Sequence, residues 1–154
     1  MNKKEAAFWQ KFLSQTTIEN PIFGEAWSFG ATDEVADELA KLVLNGTKTA
    51  TASAKVEYDW ENEALPKANH HYDMLLDGSG NPVAVLMTTK VYMTKFCEVT
   101  PEHAYKEGEG DLSLKYWKQV HYNFWQTLFK DIYNKEVDIT DMEVVCEEFE
   151  VIYK

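Results

Sequence analysis

Apolar positions at helical spacing open the chain. Phe8, Trp9, Phe12 and Leu13 fall on one side of residues 4–15 and predict a short amphipathic helix. Asn20-Pro21-Ile22-Phe23-Gly24 then reads as a turn. A second helix is marked more fully. Thr32 or Asp33 caps it, Asp33 and Glu34 suit its positive end, and Ala36, Leu39, Ala40, Val43 and Leu44 form its apolar stripe. It stops at Asn45-Gly46, a pair suited to a left-handed cap.

From Thr47 the period changes to that of a strand. Thr49, Thr51 and Ser53 share one face of an extended run that is expected to continue toward Val56 and Tyr58. Residues 60–69, with Pro66 among them, predict a polar loop. Residues 71–77 and 82–97 predict two strands around a hairpin turn at Gly78-Ser79-Gly80-Asn81. Beyond Pro101 the pattern is helical until Gly108 and Gly110 interrupt it. Leu114, Trp117, His121, Phe124, Trp125 and Leu128 then make a strong helical stripe, and residues 142–153 close with a strand. Strands in the middle and helices toward both ends predict an α+β fold. It is expected to be one domain over residues 1–154, with an antiparallel or mixed sheet and peripheral helices.

Composition narrows the choice of partner. The chain has 154 residues and a net charge of −11, and all fifteen of its basic residues are lysines. Phosphate backbones are gripped by basic patches, and bidentate contacts to phosphate or guanine favour arginine. The balance therefore disfavours RNA as a partner and favours a small or neutral ligand. With only Cys97 and Cys146, both in apolar runs, no disulfide framework is expected, and both thiols are predicted to be reduced and buried. Lys3 and Lys4 precede only a few apolar residues, and no segment approaches the length of a membrane span. A cytoplasmic protein without membrane contact is expected.

Three groups of residues carry candidate chemistry. Gly46-Thr47-Lys48-Thr49-Ala50-Thr51 follows a helix directly. In a strand Lys48 and Thr51 would point to opposite faces, so they can act together only if the chain turns between them. A desolvated Lys48 could take the proton of a hydroxyl; the same pattern also suits a solvated lysine beside strand-forming threonines. Glu107-Gly108-Glu109-Gly110-Asp111 could supply acid–base chemistry, or simply place charge and a cap (Asp111 or Ser113) at the start of the next helix. The histidines form no convincing metal set: His70 and His71 are adjacent, and His103 and His121 stand singly. His121, in its aromatic stripe, reads as a hydrogen-bonded core or pocket-wall residue. No metal or other cofactor is expected.

Taken together, these stretches resemble the ASCH family. The matching residues are Trp27-Ser28-Phe29-Gly30, Ala36-Asp37-Glu38-Leu39, the Gly46–Thr51 motif, Leu76-Asp77-Gly78 with Pro82-Val83-Ala84-Val85, and Glu107–Asp111 followed by Leu114, Trp117 and His121. They span about residues 25–125. The resemblance implies a PUA-like β-barrel with a cleft beside the Gly46–Thr51 turn. Within the family, a small bacterial branch is similar to N(4)-acetylcytidine amidohydrolases, which work without a metal through a lysine, a threonine and a glutamate. Carried over, these are Lys48 and Thr51 of the Gly-x-Lys-Thr-x-Thr motif, and Glu107 of His103-Ala104-Tyr105-Lys106-Glu107. Trp27, Thr49, Glu109, Asp111 and His121 are implied as substrate-binding. The expected substrate is a nucleoside-like small molecule. The alternatives are a non-catalytic module binding RNA or a modified nucleotide, and an ASCH-type ribonuclease. This chain departs from the amidohydrolase branch in its greater length, its N-terminal extension and its Glu-Gly-Glu-Gly-Asp segment.

Overall fold

The computed structural model describes residues 1–154. Five helices and five strands follow the order α1 (Lys3–Gln15), β1 (Phe23–Trp27), α2 (Asp33–Leu44), β2 (Ala50–Ala54), α3 (Lys55–Glu61), β3 (Tyr72–Leu76), β4 (Pro82–Lys95), α4 (Pro101–Glu107), α5 (Leu114–Asp131) and β5 (Glu143–Tyr153). Short 3-10 turns at Phe96–Glu98 and Ile139–Asp141 precede α4 and β5. The strands form one mixed sheet in the order β1-β3-β4-β5-β2, in which β1 is parallel to β3 while β3/β4 and β2/β5 are antiparallel.

The chain forms two compact units. The first comprises Met1–Lys48, Lys67–Lys90 and Phe149–Lys154. Its α1 is started by Asn2 and Glu5, each side chain accepting from the other's backbone N–H. It buries Trp9 and Phe12 against Met74 and Val85. Helix α2 is capped by Thr32, which accepts from the Val35 N–H, and buries Ala36, Ala40 and Val43 on one face. Its exit is a Schellman turn: Thr47 N–H donates to Leu42 and Gly46 N–H to Val43, with Gly46 at φ +83°. Lys48 N–H also donates to Leu42, so the lysine belongs to the turn and the strand starts after it.

The second unit comprises Thr49–Pro66 and Val91–Glu148. Its core is aromatic, with Phe96, Trp117, Trp125 and Phe129 packed around Val144 and Cys146. Two expectations are corrected here. The strand predicted to run on to Tyr58 ends at Ala54 and gives way to α3. Val56 and Trp60, one helical turn apart, both pack on the aromatic core, and Lys55 pairs with Asp59 at 2.8 Å along the same turn. Helical packing therefore overrides the β-propensity of the segment. Cys97 is exposed, because the 3-10 turn sends Phe96 inward and leaves its neighbour outside; Cys146 is buried as expected. Strand β1 was also not foreseen, since the turn residues around Pro21 hid its short parallel pairing with β3.

Candidate functional site

In the second unit, α4 and α5 bring three polar and aromatic side chains to one carboxylate. Thr100 caps α4 by accepting from the His103 N–H, and Pro101 occupies its first turn. His103 and Glu107 are then one turn apart on the same face, and each is only 2% exposed. His103 Nε2 lies 2.7 Å from Glu107 Oε2. The Trp117 indole N–H, a donor only, donates to the same oxygen. Glu107 Oε1 faces His121 Nε2 at 3.7 Å. The His121 ring stacks on Trp117, and its Nδ1 is 2.8 Å from the Trp117 carbonyl.

Behind His103 the polar contacts continue. Its Nδ1 is 3.3 Å from the Tyr92 hydroxyl, and Tyr92 is hydrogen-bonded to Cys146. Burial pushes the Cys146 thiol up to about 12 and raises the Tyr92 phenol above its ordinary range, so both keep their protons at neutral pH. Protonated Tyr92 can donate to His103 Nδ1, which leaves His103 Nε2 to carry the N–H directed at Glu107.

The start of β2 is fastened to the end of α4. Thr49 N–H donates to the Lys106 carbonyl at 2.7 Å, and its hydroxyl reaches the same oxygen at 3.4 Å. Ala50 and Thr51 pair with Glu148 and Glu147 of β5, and Lys106 Nζ meets Glu148 at 2.7 Å. Ala50 and Ala54 are fully buried, whereas Thr49 is exposed and Thr51 half-buried on the alternate face. Glu109 is half-buried, and its carbonyl accepts from Leu112 N–H. Asp111 is exposed, and hydrogen bonds from the Ser113 hydroxyl and N–H hold its carboxyl below the usual range. Ser113, not Asp111, caps α5.

In the first unit, Trp27 and Lys48 share a neighbour. Lys48, 1% exposed, puts Nζ 5.0 Å from the centre of the Phe29 ring, a cation–π distance. Trp27 meets Phe29 edge-on at 4.7 Å. Sequence reasoning had singled out Glu107 and His121. It gave no role to His103, Trp117, Tyr92 or Phe29, although His103/Glu107 and Trp117/His121 are pairs at the four-residue spacing of a helix face. No group of three or more His, Cys, Asp or Glu side chains is arranged to hold a metal ion.

The ASCH domain profile matches residues 25–153, which covers the whole of this arrangement. This chain belongs to the ASCH family. An ASCH domain from Lactobacillus crispatus JV V101 superposes with a TM-score of 0.92 at 29% identity, covering 100% of this chain and 97% of that one. Protein EF3133 of Enterococcus faecalis V583 superposes with a TM-score of 0.88 at 36% identity, covering 99% of this chain and 90% of that one. No curated protein matches the chain. The ASCH fold is PUA-like, as the family resemblance implied. No helix of this ASCH protein is long and apolar enough to cross a membrane.

Proposed function

We propose that this ASCH protein is an amidohydrolase that removes the acyl group from the exocyclic amine of an N-acylated pyrimidine nucleoside such as N(4)-acetylcytidine. The observation that carries the reading is the buried Glu107 carboxylate. One of its oxygens is held by His103 and Trp117, and it directly follows the Lys106 carbonyl that Thr49 grips at the head of the Thr51 strand. A carboxyl fixed by neighbours with little freedom is suited to positioning or proton transfer rather than to solvation.

In this reading Thr51 is the nucleophile. Its hydroxyl attacks the acyl carbonyl while Lys48 takes its proton, and collapse of the tetrahedral adduct breaks the C–N bond. Glu107 supplies the proton with which the amine leaves. Water then hydrolyses the Thr51 ester, releasing the carboxylic acid and restoring the hydroxyl. Lys48 is buried, which keeps bulk water from its amine.

The test is a panel of N-acylated nucleosides followed by chromatography. Groups that act as a unit are non-additive, so Lys48→Ala, Thr51→Ala and the double variant should lose similar activity. Thr51→Ser should keep part of it, and Lys48→Arg none, since a guanidinium keeps its proton. Wild-type turnover by Thr51→Ala sinks the nucleophile assignment. A wild type inert on the whole panel, yet binding RNA tightly at physiological salt, would favour the binding-module reading instead.

A further inference from the structure

A pair of hydroxyls stands on the same strand face as Thr51. Thr51 and Ser53 are two residues apart on β2 and share one face of it, while Ala52 and Ala54 point the other way, into the aromatic core. Ser53 Oγ lies 2.8 Å from Tyr58 Oη. A strand running on to Tyr58 would set these two on opposite faces; the change from β2 to α3 after Ala54 brings Tyr58 back to Ser53. Val56 and Trp60 hold that helix on the aromatic core, and the Tyr58 carbonyl accepts from the Glu63 N–H at 2.9 Å. Ser53 and Tyr58 are both half-buried, so the pair is fixed in place yet open on one side. All of these residues lie in the second unit.

Two hydroxyls carry two hydrogens, and the bond between them uses one, which leaves one to give to a ligand. Burial raises the Tyr58 phenol above its ordinary value; the Ser53 hydrogen bond works against this, and the Glu147, Glu57 and Glu63 carboxylates add to it. The phenol therefore keeps its hydrogen at neutral pH. Glu147 pairs with Thr51 across the β2/β5 ladder, so negative charge also borders the nucleophile's end of the row. Carboxylates on this face repel an anion. A neutral ligand that offers a hydrogen-bond acceptor fits the pair, and a phosphate does not.

We propose that the Ser53–Tyr58 pair donates a hydrogen bond to the 2-carbonyl of the pyrimidine whose acylated amine is presented to Thr51. This rests on the deacylase reading and adds to it the feature by which the site selects its base. On an N4-acylated cytosine the acyl group, the ring N3 and the 2-carbonyl follow one another along a single edge. N3 and the 2-carbonyl carry no hydrogen, so the protein must supply the donor. The side chains of β2 run in the same order, with Thr51 at one end and Ser53 about 7 Å further along the strand. That span takes the acyl carbon at Thr51 and the carbonyl oxygen at the hydroxyl pair. A purine acylated on its exocyclic amine has no carbonyl at this place and leaves the donor unpaired, which is how a polar site rejects an analogue.

The test compares N4-acetylcytidine with its 2-thio analogue, which differs in one atom and offers sulfur, a weak acceptor, in place of the carbonyl oxygen. The intact wild-type chain should favour the oxygen substrate in kcat/KM by about 10-fold, the worth of one hydrogen bond. Tyr58→Phe keeps the ring and loses the hydroxyl, and Ser53→Ala removes the other member of the pair. Each should bring that preference close to one, chiefly by raising KM for N4-acetylcytidine rather than by lowering kcat. Equal loss on both substrates with the preference intact would mean a structural role and overturn the subsite. A wild type that deacylates both equally well overturns the subsite and leaves the deacylase reading standing. A wild type inert on both also overturns it, and the deacylase reading falls as well when the rest of the acyl-nucleoside panel is inert.

Discussion

The indole of Trp117 and the imidazole of His121, one turn apart on α5, lie face to face with centroids 4.1 Å apart. Trp117 also takes the His121 Nδ1–H on its carbonyl and gives its own N–H to Glu107. One residue thus packs, orients a histidine and anchors a carboxylate. Trp117→Phe keeps an aromatic ring but removes the donor to Glu107 and part of the indole's bulk. It should cost about 1.5–3 kcal/mol in urea unfolding, the range for a hydrogen bond to a charged group. Trp117→Ala also opens a cavity in the aromatic core and should cost about 3–5 kcal/mol. A Trp117→Phe variant as stable as wild type would deny the N–H its part.

The two cysteines should separate chemically. The thiolate is the reactive form, and Cys146 is buried with its thiol pushed up to about 12, whereas Cys97 is exposed. Mild treatment with iodoacetamide at neutral pH should add one adduct to the native protein, at Cys97, and two after denaturation. Peptide mass mapping reads the sites. Native labelling of Cys146 would contradict its burial.

The β3–β4 hairpin carries an acid-sensitive contact. The Asn81 and Ser79 N–H groups donate to Asp77 at 2.8 and 2.9 Å, and these bonds hold its carboxyl below its ordinary value. A depressed carboxyl contributes stability that is present above its unfolded pKa and is lost as pH falls through the folded one. Asp77→Asn should therefore lower Tm at pH 7, with the difference shrinking toward about pH 3. The loop is open to solvent, so the loss should not exceed about 1 kcal/mol, or about 2–4 °C. A gap that widens with acid would reverse the assignment.

Gly78 lacks room rather than needing a special backbone. A Cβ there would lie 2.1 Å from the Asp33 carbonyl oxygen, and its N–H donates to Asp37 at 2.8 Å. Gly78→Ala must push the hairpin away from the first turn of α2, and it should cost about 1–3 kcal/mol in urea unfolding. Ser79→Ala, with an exposed side chain next door, should be nearly neutral. A Gly78→Ala variant as stable as wild type would refute the close approach.

Much of the fold is written locally. The stripes of α1, α2 and α5, the Thr32 cap, the Gly46 exit and the 78–81 hairpin follow from side-chain period and turn chemistry, which depend only on near neighbours. The ASCH motifs are local too, and so Glu107 and His121 could be named before any geometry was known. Where local signals compete, the sequence misleads. Val56 fits a strand run by composition and, with Trp60, a helix by spacing, and only the aromatic core they pack on makes the helix win. Cys97 and Cys146 sit in similar apolar runs, yet one faces out because a 3-10 turn intervenes. The carboxylate cage lay furthest from view. His103 and Glu107 come from one helix, Trp117 and His121 from the next, Tyr92 from β4 and Cys146 from β5. A period tells which face of each element is apolar but not which faces meet. Hydrogen bonds between elements depend on long-range packing, so the tertiary structure alone brought these side chains to one carboxylate.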